Sequence, residues 1–163
     1  MDKPVIPDDE RARIQALHSL ELLDTPPEER FDRITRIARA VFKVPIALVS
    51  LVDEDRQWFK ARAGLDAAQT SREVSFCGHA ILASGVFVVE DALEDERFAD
   101  NPLVTGPPHV RFYAGAPIPA REGSSLGTLC IIDTKPRKVT SGDRTLLRDL
   151  GDVVGDMLVR TKG

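Results

Sequence analysis

The run Ile46-Ala47-Leu48-Val49-Ser50-Leu51-Val52 constrains this chain more than any other stretch. It is almost continuously apolar and β-branched, which is the pattern of a strand buried on both faces. Such a strand needs cover on either side, so the remaining sequence must supply layers as well as neighbouring strands. Asp53-Glu54-Asp55 makes a tight turn after it. Gln57 to Ala63 then alternates, with Trp58, Lys60 and Arg62 on one side and Phe59, Ala61 and Ala63 on the other. The pairing predicts a hairpin whose second strand is half exposed.

Helical patterns flank this hairpin. Asp8 is placed to cap a helix near 8–22, carrying the narrow stripe Ile14, Leu17, Leu20 and Leu23. Thr25-Pro26-Pro27-Glu28 reads as a stop followed by a new start, with Thr25 as cap and Glu28 completing a capping box. Phe31, Ile34, Ile37, Ala38, Val41 and Phe42 continue at helical spacing. Further on, Ser75 is placed to cap a helix reaching about Ser84, where Gly85 would take the left-handed closing position.

Phe87-Val88-Val89 is a short strand, and a connection from Asp91 to Val110 follows, with at most one helical turn near 93–97. Connections of that length are usually functional lids or links. Strands near 111–119 and 125–133 flank the polar turn Arg121-Glu122-Gly123-Ser124. Thr140 opens a last helix with Leu146, Leu147, Leu150, Val153, Val154, Met157 and Leu158 on one broad stripe. Short turns between strands call for an antiparallel sheet, and terminal helices packed on one face make an α+β domain.

The chain has 163 residues, 42% hydrophobic and 29% charged, which suits one globular domain. The core is expected over about 13–158, with residues 1–7 and 160–163 as flexible termini. A net charge of −4 with scattered basic residues argues against a nucleic-acid face. No apolar run approaches a membrane span. Cys77 and Cys130 are too few for a disulfide framework, and Met1-Asp2-Lys3-Pro4 reads as an ordinary start, so a cytoplasmic location is expected.

Ser75-Phe76-Cys77-Gly78-His79-Ala80-Ile81 is the densest cluster of reactive residue types. Cys77 in a first helical turn would have a lowered thiol pKa. Residues two apart point about 200° apart round a helix, so His79 is poorly placed as its base. Cys77 therefore reads as a structural residue, a pocket wall or a nucleophile. Cys130 reads as a small buried hydrophobe. The cysteine and histidine spacings match no metal site. The acids of the long loop, with Arg97 and Arg111, either grip a polar ligand or pair on the surface.

Read together, these segments resemble the GAF family of bacterial signalling domains, from about Arg13 to Leu158. The resemblance rests on Pro45 to Asp53, Gln57-Trp58-Phe59-Lys60, Ser75 to Ile81, Asp95 to Pro102, Arg111 to Pro117 and Leu126 to Asp133. It is similar to GAF domains that precede diguanylate cyclase and histidine kinase modules.

The resemblance implies an antiparallel sheet of five or six strands, with the N- and C-terminal helices on one face. It puts a pocket under the Ser75 helix and the Asp91–Val110 loop on the other face. It implies Phe76, Cys77, His79, Phe98, Asn101, Arg111, Tyr113 and Thr128 as ligand-binding residues, with no catalytic or metal-binding residue. Family members bind cyclic nucleotides, bilins, haem or small metabolites, and some bind nothing. The Asn-Lys-Phe-Asp-Glu signature of cyclic-nucleotide members is missing, and Gly78 separates Cys77 from His79 where bilin members join cysteine to histidine directly.

The implied function is a non-catalytic sensory or regulatory domain with an unspecified small-molecule ligand and no assigned cofactor. A homodimer through the terminal helices and an output protein of cyclase or kinase type are the implied partners. Two alternatives stand beside it. One is a dimerisation module without a ligand. The other is an enzyme like the free methionine sulfoxide reductases, which share the fold; the loop cysteine they use is replaced here by Arg97-Phe98-Ala99-Asp100.

Overall fold

The computed structural model describes residues 1–120 and 123–160. Two helices come first, α1 (Glu10–Ser19) and α2 (Glu29–Phe42). A hairpin of β1 (Ile46–Val52) and β2 (Arg56–Ala63) follows, then β3 (Gln69–Ser71), the short α3 (Phe76–Ala80) and β4 (Phe87–Val89). One turn of α4 (Pro102–Thr105), the long strands β5 (Phe112–Pro119) and β6 (Ser125–Asp133), and α5 (Ser141–Arg160) complete the order. Residues Arg121 and Glu122 of the turn anticipated between the last strands lie outside the described residues, as do 161–163.

The six strands form one antiparallel sheet in the order β3-β2-β1-β6-β5-β4. β1 sits near its middle between β2 and β6 and is buried along its whole length, as its composition predicts. Its two faces serve two separate cores. Ala47, Val49 and Leu51 join Phe31, Ile34, Leu129, Leu147 and Val154 under the long helices. Ile46, Leu48 and Val52 join Phe59, Phe76, Phe98, Tyr113 and Cys130 on the opposite face.

α5 opens on a reciprocal cap: the Asp143 backbone N–H donates to Thr140 Oγ1 and the Thr140 N–H donates to the Asp143 carboxylate, both at 3.0 Å. Its Gly151 and Gly155 lie so near β5 that an added Cβ would meet Ala116 Cβ at 3.0 Å and Pro119 Cδ at 2.9 Å. Small residues on both partners thus set the helix-to-sheet distance.

Local departures from the sequence reading have physical causes. β2 is buried from Gln57 to Ala61 instead of half exposed. Val49 pairs with Ala61 and Ser50 with Phe59, which makes Lys60 the extra residue of a bulge. The bulge brings Ala61 to the helix side with Trp58, leaving Phe59 on the other. Lys60 Nζ is capped inside by Thr25 Oγ1 (2.7 Å), the Pro26 carbonyl (2.8 Å) and the Glu28 carboxylate (2.7 Å). Thr25 and Glu28 are therefore engaged by Lys60 and form no capping box. The α2 N-cap is Glu28, without a side-chain cap.

α1 likewise starts from Asp9 with no side-chain cap, and Glu21 in the left-handed region closes off the chain soon after its end. Its Glu10 turns inward to pair with Arg13 and Arg72. α3 is shorter than expected. Ser75 does cap it, accepting from the Gly78 N–H at 3.0 Å. Beyond Ala80 the bonds tighten to i→i−3, from Leu82 to His79 and from Ala83 to Ala80, and Gly85 does not adopt positive φ. Within the segment 1–7, read from the sequence as a flexible terminus, Met1, Asp2 and Pro4 make contacts with α3 and the loop before α4. The Asp2 N–H donates to the Arg97 carbonyl at 3.0 Å, and the Met1 amine pairs with Asp100 at 2.6 Å.

Candidate ligand-binding site

The face of the sheet turned away from α2 and α5 holds a cavity of about 360 Å³. Its floor comes from every second residue of adjacent strands: Leu48 of β1, Phe59 of β2, Tyr113 of β5, and Cys130 and Ile132 of β6. α3 contributes Phe76 and Cys77 to the wall, and Leu103 and Val110 close the side toward α4. Asp66, Ala67 and Pro107 also line it and are exposed, so the mouth opens between the loop after β2 and the loop after α4. The walls are largely hydrocarbon and aromatic, and among the described residues no lysine, arginine or histidine lines it.

At the deep end, polar side chains close on one another. Cys77 Sγ lies 3.0 Å from Thr128 Oγ1 and 3.1 Å from the Tyr113 hydroxyl, which are themselves 3.3 Å apart. Ser50 Oγ donates to Gln57 Oε1 at 3.2 Å, and Gln57 Nε2 donates to Thr70 Oγ1 at 2.5 Å. Burial pushes the Cys77 thiol up, but contacts from Cys130, Ser50, Thr128 and Tyr113 outweigh it and bring the thiol below its ordinary range. Cys130 moves the opposite way, well up, through burial and the neighbouring Cys77. The Tyr113 phenol is raised by burial first and then by the two sulfurs.

The residues implied as ligand-binding separate into groups. Phe76, Cys77 and Tyr113 line the cavity, and Thr128 stands behind Cys77. Phe98 stacks flat on Phe76, with ring centroids 4.1 Å apart, and so supports the wall from outside. Asn101 caps α4 and donates to the Val74 carbonyl at 3.0 Å, tying the loop to the turn that precedes α3. His79 packs edge-on to Phe98 and donates to the Asp2 carbonyl at 3.2 Å. Arg111 donates to the Val104 and Val110 carbonyls. Asn101, His79 and Arg111 are not lining residues. The cavity also uses Leu48, Gln57, Phe59, Cys130 and Ile132, which share a face with Thr128 and Tyr113 by strand register. Pro107 and Pro108 at its mouth carry no such signal.

A model of the GAF domain matches residues 26–158. The chain belongs to the GAF domain family. A cyclic di-GMP phosphodiesterase of Pseudomonas aeruginosa is 50% identical over 137 residues, covering 84% of this chain and 23% of the relative. This chain therefore spans about a quarter of that relative's length. Among solved structures, the GAF domain of a phosphoenolpyruvate-protein phosphotransferase from Coxiella burnetii superposes with a TM-score of 0.69 at 13% identity, over 92% of this chain and 94% of that one. The type II free methionine-R-sulfoxide reductase of Thermoplasma acidophilum gives 0.67 at 11% identity, over 90% and 96%. At such identities these likenesses speak to the fold alone. As a GAF domain related to a signalling protein, the chain is a sensory or regulatory module. Among the described residues, no helix of this GAF domain is long and apolar enough to cross a membrane.

Proposed function

We propose that this GAF domain binds a small, uncharged and mainly apolar ligand in the cavity and passes its occupancy to an output module. The observation that carries the reading is a solvent-reached cavity of about 360 Å³ with aromatic walls and no cationic lining residue. Pockets for small molecules fall in this size range, at its lower end. A phosphate or carboxylate would enter without a cationic partner and lose hydration for nothing. Phe76, Cys77 and Tyr113 would touch the ligand. Phe98, Thr128 and Asn101 would set their positions, and His79 and Arg111 would hold the segments around them.

Signalling follows from differential affinity. A ligand that favours one placement of α3 and of residues 91–110 shifts the balance between placements, and nothing else can. The output module is of the cyclic di-GMP or histidine kinase type, either continuous with this domain in a longer protein or on another chain. The relationship to a cyclic di-GMP phosphodiesterase supports the first class. Chemistry then resides in the output module, with the GAF domain regulating it from the cytoplasm.

The domain also pairs with a second copy through α2 and α5. Ile37 and Val41 on α2, and Leu146 and Val153 on α5, are 39–51% exposed. Leu147, Val154 and Leu158, from the same α5 stripe, are buried in the core. The broad stripe therefore exceeds what the sheet face takes.

Native mass spectrometry of the purified protein tests the ligand reading, followed by denaturing analysis of anything released. A released neutral molecule, lost when Leu103→Trp blocks the cavity, is the expected result. Tight binding of a cyclic nucleotide at the same place would overturn it. Turnover of free methionine sulfoxide would overturn the non-catalytic assignment.

A further inference from the structure

We infer that Cys77 and Cys130 form a reversible dithiol–disulfide couple at the cavity floor, oxidised by small hydroperoxides. The two residues come from different elements, the first turn of α3 and the middle of β6, yet both line the same cavity. Both are free cysteines, and Cys77 Sγ lies against the Tyr113 hydroxyl, which covers Gly115, the cross-strand partner of Cys130. Cys77 Sγ also has the Tyr113 and Thr128 hydroxyls at 3.1 and 3.0 Å, two groups able to donate to a thiolate formed there. The cavity supplies a path for a small oxidant to sulfurs that the rest of the protein covers.

The chemistry balances with the peroxide as the sole co-reactant. The Cys77 sulfur attacks one peroxide oxygen, an S–O bond forms, and the O–O bond breaks. The departing oxygen takes the thiol proton and leaves as water or an alcohol. Cys77 is then a sulfenic acid. The Cys130 sulfur attacks the Cys77 sulfur, an S–S bond forms and the S–O bond breaks. Hydroxide leaves with the Cys130 proton as water. The dithiol has lost two electrons and two protons, and the peroxide has gained them. Tyr113 and Thr128 act as positioning residues for the Cys77 sulfur. The new bond ties the wall helix α3 directly to β6 and fills the deep end of the cavity, whether or not a ligand binds there.

The test uses the whole chain, treated with hydrogen peroxide and measured by intact mass and non-reducing peptide mapping. The expected product is a monomer about 2 Da lighter, with a Cys77–Cys130 cross-linked peptide that a dithiol reductant reverses. C130S should instead accumulate a dimedone-trapped sulfenic acid on Cys77, and C77S should show neither product. Tyr113→Phe should slow the loss of thiols roughly tenfold and shift its pH profile upward, which a purely structural role would not do. Two untouched thiols after exposure that oxidises free glutathione would overturn the proposal. So would a disulfide found only between chains. The wild-type mapping stands without any variant, so a misfolded mutant leaves the test intact.

Discussion

Tyr113 and Gly115 stand two residues apart on one face of β5, and the phenol occupies the space a side chain at 115 would need. A Cβ built on Gly115 would lie 2.4 Å from the Tyr113 hydroxyl. Gly115 is also the cross-strand partner of Cys130. The missing side chain is thus what lets the hydroxyl reach Cys77 and Thr128. Gly115→Ala should push the ring out of place and lower stability by about 1–3 kcal/mol, the usual range for overpacking. Thermal unfolding and Tyr113 fluorescence would check it; an unchanged midpoint would refute the arrangement.

Acid should unfold the domain partly through Glu10. Burial works to raise its pKa, but hydrogen bonds from Arg72 and Arg13 outweigh this and bring it to about 2. A carboxylate lowered in the folded state stabilises at pH values above its unfolded pKa, and that stability is lost as pH falls through the folded one. The Glu10 contribution should be full above about pH 5 and fade toward pH 2, amounting to about 1–2 kcal/mol once solvent screening is allowed for. Glu10→Gln should lower the denaturation midpoint at pH 7 and flatten the acid limb. Equal pH profiles for the two proteins would contradict it.

The Lys60 ammonium should make its neighbours unequal. Glu28→Gln removes the carboxylate charge that pairs with a buried cation, at a cost of about 1–3 kcal/mol. Removing the cation as well, in Lys60→Met with Glu28→Gln, should recover much of this loss. Urea unfolding of the three proteins measures the difference.

The two sides of α5 should separate stability from association. Leu147 is 1% exposed, and Leu147→Ala should cost about 2–4 kcal/mol by leaving a cavity. Val153 is 45% exposed, and Val153→Glu should change folding by no more than about 0.5 kcal/mol. In sedimentation, Val153→Glu together with Val41→Glu should give monomers if α2 and α5 pair with a second copy. Dimers that persist would place any self-association elsewhere.

The architecture was readable because its main signals are periodic. Ile46–Val52 announced a covered strand, and the spacing of Phe31, Ile34 and Ala38 announced the buried stripe of α2. What escaped depends on contacts distant in sequence. A bulge at Lys60 cannot be read from alternation, because it shows only when β1 is set beside β2. Thr25 and Glu28 have the chemistry of a capping box, and only the arrival of Lys60 diverts them. For the cavity, the lining residues Phe76, Cys77 and Tyr113 lie in segments that carry the GAF resemblance, which is what pointed to them. Leu48 and Phe59 look like ordinary strand residues, and only strand register brings them to the floor.

The sheet order has a consequence for synthesis on the ribosome. β1 is flanked by β2, the next strand made, and by β6, the last. Until residue 133 has emerged, one long side of an apolar strand has no partner, and the helix α2 has only half a surface to rest on. A nascent chain halted in β5 would carry an open, sticky margin for joining another chain. Completion is therefore all-or-nothing: the centre of the sheet closes only when its final strand slides into the slot between the two halves, long after the first has been made.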